Sequence, residues 1–416
     1  MTAMPLSPRS PTRDRVMPRE QGHPMQLVRT REKKVLTVFG TRPEVIKLAP
    51  VIKELEAQRD AFLTVNVTSA QHTDLLYPFV RMFGIRVDHD LHVMEPNQTP
   101  NQVCARVLAR LDLLLAEERP DLILVQGDTT TAMAGALAGF HRRIPIGHVE
   151  AGLRSGNTYS PYPEEMNRRL ITRLATYHFA ATRRNRATLL SEGVPENTVF
   201  VTGNPVVDSL HAMLERAGDS PVVARLLEAT SGLKRIVLTT HRRESFGDVM
   251  AGNLGALRSF VASHPDVALL FPVHPNPDVV GPATTILSGH PRIHLIPPLG
   301  YEDFIVLLSR AWLLVSDSGG VQEEAPTLGK PVLILRENTE RPEAIEAGVA
   351  RLVGGEPLRL ALMLEEAYRD GSWIRNVGQG ANPFGQGDSG KRIAQIIARL
   401  LDESPVVPRA LVAVPG

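Results

Sequence analysis

Among the 416 residues there is a single cysteine, Cys104. That excludes an internal disulfide framework and a cysteine-based zinc site, and it fits a reducing compartment. Cys104 lies in the run VCARVLARLDLLLA, where a packing role on a helix is expected rather than a nucleophilic one. Long apolar runs are missing as well: no stretch of about 18 or more apolar residues occurs, so no segment reads as a membrane span. The first 30 residues carry Arg and Pro throughout and lack the apolar core of a signal peptide. Nor is one sign of charge in excess. Lys plus Arg total 46 against 45 Asp plus Glu, a net charge of +1, which gives no sign of a nucleic-acid or membrane surface. A Walker A pattern, a GxGxxG after the first strand and a metal-ligand cluster are also absent, which weakens kinase and NAD-dehydrogenase readings. The expectation is a soluble cytoplasmic protein.

What is present is alternation. A chain of this length accommodates two full cores. Residues 1–32 are Pro-rich, charged and without periodicity, and read as a disordered extension; 404–416 read as a flexible tail. Between them apolar strands are expected at Val35–Phe39, Leu63–Thr68, Leu122–Gln126, Pro145–Val149, His178–Ala181 and Val199–Thr202. Helical stretches separate most of them, including Gln102–Glu118, Thr129–His141 and Glu164–Thr176. A second set runs through Lys234–His241, Val267–His274, Arg292–Pro297, Trp312–Ser318 and Pro331–Glu337. Strand–helix alternation means parallel sheets covered on both faces. Two such sets, joined near Asn204–Ser220, predict an α/β protein of two Rossmann-like domains, 33–205 and 206–388, facing a central cleft. Ligands in such folds bind beyond the carboxyl ends of the strands.

The corners at those ends carry the chemistry. VLTVFGTRPEVIKLAP runs from a strand through Gly40 into a helix, with Pro43 suited to its first turn and Pro50 expected to kink or split it. Arg42, Glu44 and Lys47 stand there, beside the free N–H groups of a helix N-terminus that attracts anions. GDTTT places Asp128 before a helix; HVEAGLRSG places His148 and Glu150 beside glycines; YSPYPEEMNRR opens a helix with Glu164 and Glu165. A lone acid at a helix start is often only a cap. Acids at three strand ends of one sheet converge on one crevice and, with Arg and Lys, suit proton transfer beside a bound anion. In the second half, SDSGGVQEEAPTLGKP turns on two glycines into a helix, so Ser318, Gly319 and Gly320 can lay N–H groups along a pyrophosphate. Glu323 and Glu324 follow, where a carboxylate can accept ribose hydroxyls. His241 in THRRE is expected to point across the cleft toward the acids, and Arg341 in ENTERPEA offers a fork for phosphate or carboxylate.

GTRPEVIKLAP, GDTTT, HVEAGLRS, YSPYPEE, HRRES, SDSGGVQEEAPTLGKPVL and TERPEA, in this order, resemble the non-hydrolysing UDP-N-acetylglucosamine 2-epimerases. The resemblance covers about Lys33 to Leu401 and implies a GT-B-type fold with a C-terminal helix, 389–403, crossing back to the first domain. It implies interconversion of UDP-GlcNAc and UDP-ManNAc without metal or nicotinamide, through anti-elimination of UDP to a 2-acetamidoglucal and re-addition. Residue by residue, it gives Asp128, Glu150 and Glu164 as catalytic acids and His241 as the histidine of the second domain. Arg42 and Lys47 become basic groups of the site, and Ser318, Gly319, Gly320, Glu324 and Arg341 the UDP-binding set. Phe304 falls where a uracil-side aromatic is found. SAQHTDLLYP resembles a motif that in many bacterial members lies at a second, activating UDP-GlcNAc site, which would make Gln71 and His72 regulatory; the residues after them differ from the commonest version. Leu299 stands where some members carry a polar nucleotide contact. A homodimer and a place in cell-envelope polysaccharide synthesis are further implications. The competing readings are a hydrolysing epimerase releasing ManNAc and UDP, a GT-B glycosyltransferase, and a non-catalytic UDP-sugar sensor that could dispense with the acids.

Overall fold

The computed structural model describes residues 32–71, 73–216, 218, 220–242 and 245–403. His72, the 404–416 tail and the extension before Glu32 lie outside the described residues. Two parallel sheets organise the chain. The first contains β1 (Lys33–Phe39), β2 (Phe62–Thr68), β3 (His89–Asp90), β4 (Leu122–Gln126), β5 (Ile146–Ala151), β6 (Tyr177–Ala180) and β7 (Val199–Val201), in the order β3-β2-β1-β4-β5-β6-β7. The second contains β8 (Lys234–Thr239), β9 (Val267–Pro272), β10 (Ile293–Ile296), β11 (Leu313–Ser316), β12 (Val332–Ile334) and β13 (Ala350–Leu352), in the order β10-β9-β8-β11-β12-β13. Each sheet reverses its order beside its first strand, β1 or β8, and such a switch point opens a crevice for ligands.

The expected strands are all there, several ending earlier than the apolar pattern suggested. β8 stops at Thr239 and β9 at Pro272, so His241 and His274 have left the sheet and belong to the corners. The edge strands β3 and β13 were not expected; at two and three residues they are too short to show a period. Among the described residues no helix is long and apolar enough to cross a membrane.

The split that Pro50 could have caused does not occur. The helix Arg42–Ala57 runs unbroken through Pro50. Proline removes the N–H that would have bonded the Ile46 carbonyl four residues back. Ser209 Oγ, from the helix Pro205–Arg216, donates to that carbonyl at 2.5 Å instead. The helix Ser389–Glu403 crosses at the same point, where Gly390 lies so close that an added Cβ would stand 2.7 Å from the Pro50 carbonyl oxygen. Ile52 and Leu55, Val207 and Leu210, and Ile393 and Ile397 from these three helices share one core, fully or almost fully buried. The proline is therefore a docking point for two later helices.

Candidate active site

The β1 corner starts with a close approach. A Cβ at Gly40 would stand 2.0 Å from Ser69 Oγ and 2.8 Å from Thr131 Oγ1, so any side chain there would displace both hydroxyls. Thr41 then caps the helix in a capping box with Glu44. The Glu44 carboxylate accepts from the N–H groups of Gly40 and Thr41 at 2.9 and 2.7 Å, from Thr41 Oγ1 at 2.8 Å and from Thr129 Oγ1 at 2.7 Å. Complete burial outweighs those donors and raises its pKa to about 7. One helical turn on, the buried Lys47 ammonium pairs with Glu150 and, at 2.9 Å, with Glu323.

At the β4 corner Asp128 pairs with Arg168, and Asn167 Nδ2 donates to its backbone carbonyl at 2.9 Å. At the β5 corner the strand bulges between Val149 and Ala151, and Glu150 sits at φ +66°, in the left-handed region. A non-glycine residue held there costs of order 1–3 kcal/mol, and such strain persists where the surroundings over-determine the position. They do here. Gln126 Nε2 donates to Glu150 at 2.5 Å, Asn204 Nδ2 at 3.0 Å, and Lys47 binds it. Burial holds the Glu150 carboxyl above its ordinary value against the pull of Lys47. Glu164 opens its helix after cis Ser160–Pro161 and Tyr162–Pro163 bonds. Its Oε2 is buried without a hydrogen-bond partner. Burial, reinforced by the charge of Asp128, pushes this carboxyl up.

The second half meets this wall through ions. Glu323 bridges Lys47 to Arg341, whose Nε donates to it at 2.6 Å, and Arg341 also binds Glu340 at 2.6 Å. Glu340 in turn accepts from Arg336 at 2.8 Å. Charges thus alternate Glu150, Lys47, Glu323, Arg341, Glu340, Arg336 from one sheet's corner into the other's. Burial would lower the Lys47 ammonium, but Glu150 and Glu323 hold it above its usual range; burial would raise Glu323, but Arg341 and Lys47 hold it below. Glu324 accepts from Tyr301 Oη at 2.7 Å, and burial raises its pKa to about 7.

A cavity of about 650 Å³ opens between these groups, walled by Arg42, Lys47, Asp128, Glu150, Glu164 and Arg341. Gln71 also reaches its wall and accepts from Thr131 Oγ1 at 3.0 Å. Asp128 from the β4 corner and Glu150 and Glu164 from the β5 connection therefore meet in one space. The other expected groups lie outside this wall. Ser318 stands at the N-cap position of the helix Gly319–Leu328, without a side-chain capping bond; the helix begins with Gly319 and Gly320, and Arg341 packs against Gly319, 2.7 Å from where a Cβ would be. Phe304 and Leu299 are half-buried against the apolar core. His241 is exposed, packs its ring on His274 at 5.6 Å, and has its Nδ1 3.3 Å from Asp317. Asp317, wholly buried, accepts from Thr240 Oγ1 and from the N–H groups of His241 and Arg242 at 2.8, 2.9 and 3.0 Å. From the second half, the charge of Arg242 acts on Glu164. Among the described residues no group of three or more His, Cys, Asp or Glu side chains is placed to hold a metal ion.

Sequence reasoning missed several partners. Arg168 had a signal, since it follows Glu164 by four residues and so shares its helix face. Gln126, Asn204, Asp317 and Tyr301 carry none, because each acts on a residue distant in sequence or embedded in an ordinary element.

A family model described as UDP-N-acetylglucosamine 2-epimerase matches residues 53–398. The UDP-N-acetylglucosamine 2-epimerase of Yersinia pestis is 45% identical over 369 residues, 88% of this chain and 98% of that protein. The crystal structure of UDP-GlcNAc 2-epimerase from Neisseria meningitidis bound to UDP-GlcNAc is similar at a TM-score of 0.81 and 40% identity, covering 88% of this chain and all of that one. The enzyme of Methanocaldococcus jannaschii in complex with UDP-GlcNAc and UDP is similar at 0.71 and 32%, covering 88% and 99%.

Proposed function

This chain belongs to the UDP-N-acetylglucosamine 2-epimerase family, and we propose that it interconverts UDP-GlcNAc and UDP-ManNAc by eliminating and re-adding UDP. The observation that carries this reading is the meeting of Asp128, Glu150 and Glu164 with Lys47, Arg42 and Arg341 around one cavity. In the forward step a carboxylate takes the C2 proton, the C2–H electrons form the C1–C2 double bond, and the C1–O pair leaves with the diphosphate. C2–H is a weak acid, so the base must be held against it. Glu164 suits that work: an unpartnered oxygen and a raised pKa bring its basicity closer to neutrality. Glu150 has both oxygens engaged and suits holding Lys47 in place. Return of UDP and delivery of a proton to the opposite face of C2 give the epimer. Developing charge on the leaving diphosphate is matched by the basic groups and by the N–H groups of Ser318, Gly319 and Gly320 at a helix start. UDP-ManNAc so formed would serve cell-envelope polysaccharide synthesis. Proton NMR of the protein with UDP-GlcNAc in heavy water tests the reading: UDP-ManNAc with deuterium at C2 of both epimers and no free ManNAc is expected. Free ManNAc with UDP would mean hydrolysis instead, and transfer to an added acceptor would mean a glycosyltransferase.

The same reading includes a homodimer through the apolar face of the helix Thr130–His141 and its neighbours. The helix Thr130–His141 has no charged residue before His141, and its outward stripe is Met133, Leu137 and Phe140. A helix apolar all round is normally covered. Phe140 is 55% exposed, and Leu113, Tyr162, Met166 and Leu170 on or beside the flanking helices add exposures of 69, 68, 38 and 44%. Together they offer on the order of 600 Å² of apolar surface, close to the roughly 800 Å² per partner of a stable interface. Light scattering should give twice the 45.6 kDa chain mass, and F140E should give the single chain. A monomeric wild type would overturn this.

A further inference from the structure

Glu44 and Thr129 form a bond that neither the catalytic reading nor the family resemblance uses. Their corners follow neighbouring strands, since β1 and β4 pair at Val38 and Val125. The β1 corner leads into the helix bearing Arg42 and Lys47; the β4 corner bears Asp128. Each corner is fastened to its own helix by a cap. Thr41 and Glu44 make the first, and Thr129, accepting from the Ala132 N–H at 3.0 Å, makes the second. The Thr129 hydroxyl then donates its own proton to Glu44 Oε1 at 2.7 Å, so one carboxylate bridges both caps. A helix cap alone would need only Oε2, which already takes the Gly40, Thr41 and Thr41 hydroxyl donors. Oε1 is committed across to the residue next to Asp128.

We propose, resting on the epimerase reading, that Glu44 is a positioning residue: through Thr129 it fixes the distance between Asp128 and the basic groups on the Arg42–Ala57 helix. Glu44 and Thr129 both reach the cavity wall, but the Glu44 side chain is wholly buried and its oxygens are taken by four donors, so its carboxylate acts on the reaction through those corners. Misplacing a reacting group by about an ångström costs on the order of a hundredfold in rate. Loosening this bridge should therefore appear in kcat and not in nucleotide affinity.

The test measures kcat, KM and UDP affinity for T129V, T129S, E44Q and the double variant E44Q/T129V. T129V and E44Q are expected to lower kcat tenfold or more, with UDP affinity within about threefold of wild type. T129S keeps a hydroxyl and should restore turnover. If the two residues act through one bond, the double variant falls no further than the worse single variant. Wild-type kcat in T129V, or losses that multiply in the double variant, would overturn the proposal. UDP titration of each variant shows that the nucleotide site is folded, so a collapsed protein is not read as a positioning effect. A wild type that binds UDP but exchanges no C2 proton would remove the epimerase reading itself, and this proposal with it.

Discussion

At the scale of single residues, the cavity separates acids that are held from one that is not. Asp128 answers to Arg168, Glu150 to three donors, and Glu164 keeps a buried oxygen without a partner. Asp128→Asn keeps size and removes charge; it should lower turnover by orders of magnitude while leaving UDP affinity nearly intact, and steady-state kinetics beside calorimetric titration check both. Glu324 makes a second prediction. Its pKa is raised by burial from 4.5 to about 7, so between those values the folded chain binds more protons than the unfolded one. Stability from this group is present at low pH and is lost as pH rises toward 7, by on the order of 3 kcal/mol. Wild type should therefore lose ground to E324Q as pH goes from 5 to 8, measured by urea unfolding of each protein across that range. Parallel curves would show that Glu324 titrates normally.

Helices and strands show where the sequence could be read and where it could not. The apolar runs located the strands because a doubly covered parallel strand has no polar alternation to confuse with a surface element. Asp128 and Glu150 were legible for a related reason: polar groups at the ends of buried strands mark the corners where ligands bind, and Glu164 opens the helix that follows the β5 end. Arg341 was legible only by residue type. The fork expected for a phosphate is held in this structure by Glu323 and Glu340, one of them eighteen residues away in sequence. Glu44 read as an ordinary helix-start acid because Thr129 lies 85 residues further on. Pro50 misled for the opposite reason, its local rule being correct and its remedy distant. Removing that remedy is a direct test: Ser209→Ala leaves the Ile46 carbonyl without its donor and should cost about 1–3 kcal/mol in chemical denaturation. An unchanged midpoint would mean that another donor satisfies the carbonyl.

Across the whole molecule, the two sheets are joined by charge at the cleft and by apolar packing behind it. Glu323 is the midpoint of the alternating ladder, with a cation from each half on its two oxygens. Replacing it by Gln leaves Lys47 and Arg341 short of a buried counter-charge, a loss worth about 3–5 kcal/mol. E323Q should unfold at lower denaturant and bind UDP less tightly, because both cations lose their fixed places; unchanged stability would show the ladder to be solvated. Behind the cleft, the helix Ser389–Glu403 lies on the Arg42–Ala57 helix and buries Ile393, Ala394, Ile397 and Leu401 in the core they share. That crossing has a consequence for how the protein is made. A ribosome releases the first sheet and its helices long before it reaches Gly390, so the side of the early helix that meets Ile393 and Ile397 waits through the synthesis of the entire second half. During that interval the Pro205–Arg216 helix covers one flank of the seam, and the other flank stays open until the end of the chain emerges.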